Sequence, residues 1–310
     1  MWFRNLTLFR FSPAVAKSLK SLDDDLAEKR LRPCGPIELA TRGFISPFGR
    51  NEDALTHRVG EFALLTLGGE DKLLPSSVIN EELAVRLQKI AEKTGRKPGG
   101  RERKRLKEEV LTDLLPRAFI RLSKRNAYLD SQDGWFVVDT ASKKAAEEAV
   151  TQLREALGSF PAVPMAAEES PRALMTDWLA NGKLPAGLAL GDECELRDPV
   201  ESGAIVRCRR QELETDEVRE HLKSGKQVFA LGLTFEDRLS FSLGEDLVVR
   251  KLRFLDVVQD ELGEGDRGGT DENQAAAELD AVFALMSLEL RRLFAKFEEW
   301  FGLPRPSDKK

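Results

Sequence analysis

Between Lys93 and Arg125 the sequence reads KTGRKPGGRERKRLKEEVLTDLLPRAFIRLSKR, and its twelve lysines and arginines face only four acids. This segment carries +8, while the whole chain carries −5 at neutral pH, so the remainder carries −13. Cations gathered into one segment of an otherwise anionic chain suit a polyanion whose phosphates they would neutralise. A solvated loop with helix-stabilising charges has the same composition, so the block alone leaves both readings open.

The elements that position these cations can be read from spacing. Ile79, Leu83, Leu87 and Ile90 recur at helical intervals ahead of the block, with Ser76 or Ser77 placed to cap the helix start. Gly95, Pro98, Gly99 and Gly100 then break the helix. A second helix is predicted from about Arg101. Its first turn and a half is polar on every side, and apolar positions begin only at Leu106, Val110, Leu111, Leu114 and Leu115. A helix polar all round has nothing to bury. The expected unit is an αα-hairpin over residues 76–116 whose tip leaves the body of the protein and carries Arg101, Arg103, Lys104 and Arg105.

Smaller basic groups follow. Arg207 and Arg209 share one strand face with Arg210 on the other, and Arg250, Lys251 and Arg253 lie in a later strand. Arg117, Phe119 and Arg121 share a face, so Phe119 stacks on a base, contacts another chain or sits half-buried in a sheet. Catalytic signatures are absent. There is no phosphate-binding glycine loop, and His57 and His221 lack companions at metal-ligand spacing. Asp23, Asp24 and Asp25 fall on a helix about 100° apart, a solvated face rather than a converging Mg²⁺ site. Cys34, Cys194 and Cys208 are odd in number and far apart in the chain, which indicates neither a disulfide framework nor a zinc site. Scattered carboxylates of a two-metal nuclease would leave no local signature. The expectation is no catalytic residue, no metal and no cofactor.

Hydrophobic content of 41% and charged content of 33% over 310 residues describe a globular chain of two domains or one elaborate domain. No apolar run suits a membrane span and the start lacks a signal-peptide layout, so a cytoplasmic protein is expected. The predicted class is α+β. A first lobe covers residues 1–75 and 117–160, opening with a strand at 2–11 and a helix after Ser12-Pro13. A strand at Phe62–Leu67 should turn at Gly68-Gly69. Strands at 119–129 and 135–138 and a helix capped by Ser142 complete it. A second lobe covers 161–260, with strands near 187–197, 203–210, 226–234, 238–243 and 247–257. An acidic glycine-rich link at 260–272 leads into one helix to Phe301 within a segment 261–310. The apolar stripe of that helix, from Leu279 to Trp300, either caps the core or pairs with a second chain.

Several segments together resemble the RdgC family of bacterial recombination-associated proteins over essentially the whole chain. They include MWFRNLTLFRF at 1–11, PCGPIELATRGFISPFG at 33–49, DALTH at 53–57, KLLPSSVI at 72–79 and LTDLLPRAFIRLS at 111–123. ALGSFPAVP at 156–164, IVRCRRQEL at 205–213, LKSGKQV at 222–228 and LRFLD at 252–256 continue the likeness. The resemblance implies a nucleoid protein that binds double- and single-stranded DNA without sequence preference and negatively regulates the RecA recombinase. It also implies a homodimer closed into a ring with a positively charged hole. On that basis Phe119 becomes a dimer-contact residue, and the turn of Arg209, Arg210 and Gln211 lies near the ring's contacts and inner rim. The expected DNA-binding set then comprises Lys72, Arg96, Lys97, Arg101, Arg103 and Lys104. It continues with Arg105, Lys107, Arg117, Arg121, Lys124 and Arg125, and ends with Arg209, Arg210 and Gln211. A metal-dependent nuclease and a scaffold binding an acidic protein are the competing readings.

Overall fold

The alternating apolar runs form antiparallel strands in a computed structural model of the chain, which describes residues 1–49, 52–200, 203–262 and 271–304. In chain order the first elements are β1 (Leu6–Arg10), α1 (Leu22–Ala27), β2 (Ala40–Ile45), β3 (Thr56–Val59) and β4 (Phe62–Leu73). Then come α2 (Ser76–Thr94), α3 (Gly100–Leu114), β5 (Phe119–Asp130), β6 (Trp135–Asp139), α4 (Lys143–Leu157) and β7 (Val163–Pro164). The last third holds α5 (Pro171–Asn181), β8 (Leu188–Arg197), β9 (Ile205–Arg209), α6 (Asp216–Lys223) and β10 (Gln227–Phe235). It ends with β11 (Leu239–Gly244), β12 (Val249–Phe254), α7 (Asp256–Asp260) and α8 (Asp271–Phe301). The class is α+β. Among the described residues no helix is long and apolar enough to cross a membrane.

The chain divides into two compact units. The first comprises Met1–Glu28, Ser46–Thr66 and the chain from Arg125 onward; the second comprises Lys29–Ile45 and Leu67–Lys124. The joint expected near residue 161 falls inside the first unit, and part of the acidic link expected at 260–272 lies outside the described residues.

In the first unit β1 is buried along its whole length between β6 and β12, and the sheet continues through β11, β10 and β8 to β9 at its margin. α8 covers this sheet. Phe283, Met286, Leu290, Phe294, Phe297 and Phe301 join one core with Trp135, Trp178 and Phe241. The stripe is thereby consumed within its own chain, so the alternative in which it pairs with a second chain gives way to the core reading. Buried ion pairs hold the helix in place: Arg291 meets Asp130 at 2.7 Å and Arg238 meets Glu289 at 2.8 Å. Such pairs cost several kcal/mol when one partner is removed, because the other stays buried and charged.

Three local expectations are corrected. β1 begins at Leu6 rather than residue 2, because the amides of Arg4 and Asn5 donate to the Asp139 carboxylate (3.0 Å each) instead of a strand partner. α2 follows Pro75, and neither Ser76 nor Ser77 caps it. β4 runs straight through Gly68 and Gly69. A Cβ at Gly68 would lie 2.8 Å from the Ile45 side chain, and one at Gly69 would lie 2.7 Å from Ser123 Oγ. The glycine pair admits close neighbours inside a strand; it does not make a turn.

Candidate nucleic-acid interface

In the second unit α2 and α3 pack through a small core of Leu83, Leu106 and Val110, flanked by Ile79, Leu87, Ile90 and Leu114. Gly95 ends α2 in the left-handed region (φ +69°), with its amide on Ala91 O at 2.8 Å. Arg86 of α2 binds Glu82 (3.0 Å) and reaches across to Asp113 of α3 (2.9 Å). These two carboxylates, Glu82 first, raise the guanidinium's pKa further and keep it charged. The first side chain of α3 that enters the core is Leu106. Everything from Gly99 to Arg105 is free of apolar anchoring, as the polar first turns predict.

The cations around this hairpin fall into two groups. Arg96 pairs with Glu102 (3.4 Å), Arg105 with Glu109 (3.3 Å), and Arg121 lies 3.8 Å from Asp71. Lys72 is half-buried and donates to the Leu115 carbonyl at 3.0 Å, so its ammonium serves the end of α3. By contrast Lys97, Arg101, Arg103, Lys104, Lys107, Arg117 and Lys124 are exposed and, among the described residues, have no acidic partner. An unpaired cation has lost nothing to desolvation and can engage a phosphate without first breaking an internal bond.

Residues 119–124 of β5 are exposed on both faces. β4 flanks the strand on one side, while β6 pairs only with Ala127–Asp130. Phe119 is 83% exposed, Ile120 44% and Leu122 48%. The half-buried alternative for Phe119 is therefore removed. Ile120 and Leu122 were not anticipated as part of this surface, since alternation cannot distinguish an uncovered strand from one with a packed face.

In the first unit Arg125 is half-buried and donates to Ala145 O at 3.4 Å. Arg207 is held by Glu195 at 2.7 Å, whereas Arg209 at the end of β9 and Arg210 and Gln211 just past it are exposed. Arg210 takes φ +55°, and the Gln211 amide donates to Asp192 O at 3.3 Å, which makes the turn. Lys251 and Arg250 of the later basic group are engaged by Glu193 and Asp246, while Arg253 stays exposed.

Residues 1–303 match the protein family described as "Putative exonuclease, RdgC". The recombination-associated protein RdgC of Xanthomonas campestris pv. campestris is 51% identical over 306 residues, 98% of this chain and 99% of that protein. The protein of that name from Stenotrophomonas maltophilia is likewise 51% identical over 306 residues with the same coverage. That from Xanthomonas axonopodis pv. citri is 51% identical over 299 residues, 96% of this chain and 97% of its own. The chain belongs to the RdgC family.

The family description names an exonuclease, which directs attention to groups that could do hydrolytic chemistry. Among the described residues of this RdgC chain no three His, Cys, Asp or Glu side chains come together as a metal-holding group. Asp23 accepts from the Leu55 amide (2.9 Å), the Thr56 amide (2.8 Å) and the Thr56 hydroxyl (3.0 Å), a structural tether. His57 lies 3.2 Å from Asp280 and packs edge-on to Phe48. The reading that the cysteines lie apart needs amendment, because Cys194 and Cys208 are direct cross-strand partners. Counting residues along the chain hid this; the register of the two predicted strands about their short loop is the signal that would have found it.

Proposed function

We propose that this RdgC-family chain is a non-enzymatic, sequence-independent DNA-binding protein. In this reading it closes around DNA as a homodimer in the nucleoid and restrains RecA-dependent recombination. The observation that carries the reading is the set of exposed, unpaired cations on the α2–α3 hairpin and β5, seven of which belong to the expected DNA-binding set. Point charges on flexible stems grip phosphates without reading base edges, so affinity comes from counterion release and carries no sequence code. The name shared by the relatives, recombination-associated protein, supports a role in DNA recombination.

Dimerisation is assigned to the uncovered half of β5. An open strand edge bearing exposed Phe119, Ile120 and Leu122 suits addition of the same strand from a second copy, which satisfies its backbone groups and covers its apolar side chains. The second contact that a two-fold ring requires is assigned to the Arg209–Arg210–Gln211 turn. Salt titration of binding to duplex and single-stranded DNA tests the electrostatic core of the proposal. Binding that falls steeply with salt on both, and equally for unrelated sequences, supports it; binding indifferent to salt defeats it. Greater retention on circular than on linear DNA after a salt wash is expected of an encircling dimer, and equal loss from both would remove the ring. The family description also names an exonuclease, so labelled DNA should be incubated with Mg²⁺ or Mn²⁺. Cleavage that copurifies with the chain would replace the non-enzymatic reading.

A further inference from the structure

We propose that Cys194 and Cys208 form a latent dithiol, which a hydroperoxide converts to an intrachain disulfide that fastens the marginal strand β9 and the Arg209–Gln211 turn. The two residues face each other in the antiparallel β8–β9 pair, within a register that runs unbroken from Glu193↔Arg209 to Arg197↔Ile205. Directly opposed residues of such a pair have Cα atoms about 4.5–5.5 Å apart and side chains on the same face. That separation lies inside the range of about 4.4–6.8 Å found across disulfides. Both side chains turn into the core, and both are free thiols. Closing the bond therefore asks little of the backbone.

The two thiols are not equivalent. β8 is held on both sides, by β10 and β9, whereas β9 ends the sheet and is held on one side only. Local opening of β9 thus exposes Cys208 before Cys194. Burial, and then the neighbouring Cys208, raise the Cys194 thiol's pKa, so Cys194 keeps its proton and is the poorer first nucleophile. The order of events follows. The Cys208 sulfur attacks the terminal oxygen of the hydroperoxide, the O–O bond breaks, and one water (or alcohol) leaves with a sulfenic acid formed on Cys208. The Cys194 sulfur then attacks that sulfenic sulfur and releases its proton, the S–O bond breaks, and a second water leaves. Two thiols are oxidised by two electrons and one peroxide is reduced. The product closes the β8–β9 loop on the residue immediately before Arg209, so the turn loses the freedom of a marginal strand.

The test uses the full-length chain carrying Cys34→Ser, which removes the third thiol. The chain is exposed to hydrogen peroxide under native conditions, alkylated and mapped by mass spectrometry without reduction. Both thiols should disappear, the chain should become lighter by two hydrogens, and a Cys194–Cys208 cross-linked peptide should appear that dithiothreitol reverses. Amide exchange over Ile205–Gln211 should slow about a hundredfold, the effect of closing a loop of this length. With Cys194→Ser added, a sulfenic acid trapped by dimedone at Cys208 is expected. Thiols that react only in urea, oxidation that stops as a sulfinic acid beside an intact Cys194, or unchanged exchange in the oxidised chain would each overturn the proposal. These readouts involve no DNA, so they stand or fall separately from the proposed function.

Discussion

Replacing Arg101, Arg103 and Lys104 together with alanine tests whether the hairpin meets DNA through its phosphates. Each phosphate contact contributes about 0.9 to the slope of log affinity against log salt on duplex DNA, and about 0.7 on a single strand. If the seven unpaired cations of the expected set engage phosphates, the duplex slope per chain is about −6.3; with three removed it is about −3.6. Raising salt from 50 to 200 mM would then weaken the parent chain about 6,000-fold and the variant about 150-fold, a gap of about fortyfold. Fluorescence anisotropy on short duplexes of unrelated sequence measures this directly. Folding does not confound the result, because the three side chains are exposed, lie outside the Leu83–Leu106–Val110 core and are replaced by a better helix former. Glu109→Gln supplies the opposite perturbation: it frees Arg105 and should steepen the slope by about 0.9. An unaltered slope in the triple variant would place those cations away from the phosphates, and a loss that depends on sequence would mean the bases are read.

Other perturbations probe the scaffold. Leu106→Ala should cost about 2–3 kcal/mol, because a mostly buried leucine leaves a cavity in a very small core; urea unfolding that matches the parent would show the hairpin is held some other way. Phe119→Ser should leave monomer stability within about 0.5 kcal/mol, since the ring is exposed. It should nevertheless shift sedimentation toward the monomer, and an unchanged profile refutes its contact role. The Glu38 carboxyl is pulled from its usual 4.5 to about 2, first by the hydrogen-bonded Arg32 guanidinium (2.6 Å) and then by the Gly35 amide. A depressed folded pKa means its stabilisation of the 32–38 loop is complete above pH 4.5 and is lost as pH falls towards 2. Protection of the Gly35 amide, taken relative to its intrinsic exchange rate at each pH, should fall across that window in the parent chain and stay flat in Glu38→Gln. Identical profiles would deny the coupling.

Much of this fold was legible because its elements follow simple periods and stops. The Ser142 cap, the Gly95 and Gly158 helix ends and the stripe from Val282 to Phe301 all lie where local chemistry puts them. What escaped was whatever depends on neighbours distant in sequence. Gly68-Gly69 carries the same local signal whether it turns the chain or makes room for Ile45, Leu31, Ser123 and Arg42; only the adjacent strands decide. Arg4 and Asn5 lose their strand partner to Asp139, more than 130 residues away. Composition flagged the basic block, but could not say that Lys72 and Arg125 would turn to backbone carbonyls while Lys97 and Lys107 stay unpaired.

That last distinction separates structural cations from candidate binding cations. In the first unit arginines near the core are matched by carboxylates: Arg291 by Asp130, Arg238 by Glu289 and Arg10 by Glu298. A charge enters a low-dielectric interior only when its partner comes with it, so these pairs follow from folding. On the hairpin Glu102, Glu109 and Asp113 occupy Arg96, Arg105 and Arg86, and among the described residues seven cations of the expected set remain unmatched, with Lys89 and Lys93 of α2 besides. Leaving them so costs the free chain self-repulsion and returns nothing in stability. On the proposed function an external polyanion would supply the missing partner, and the salt slope would count how many of the seven it reaches.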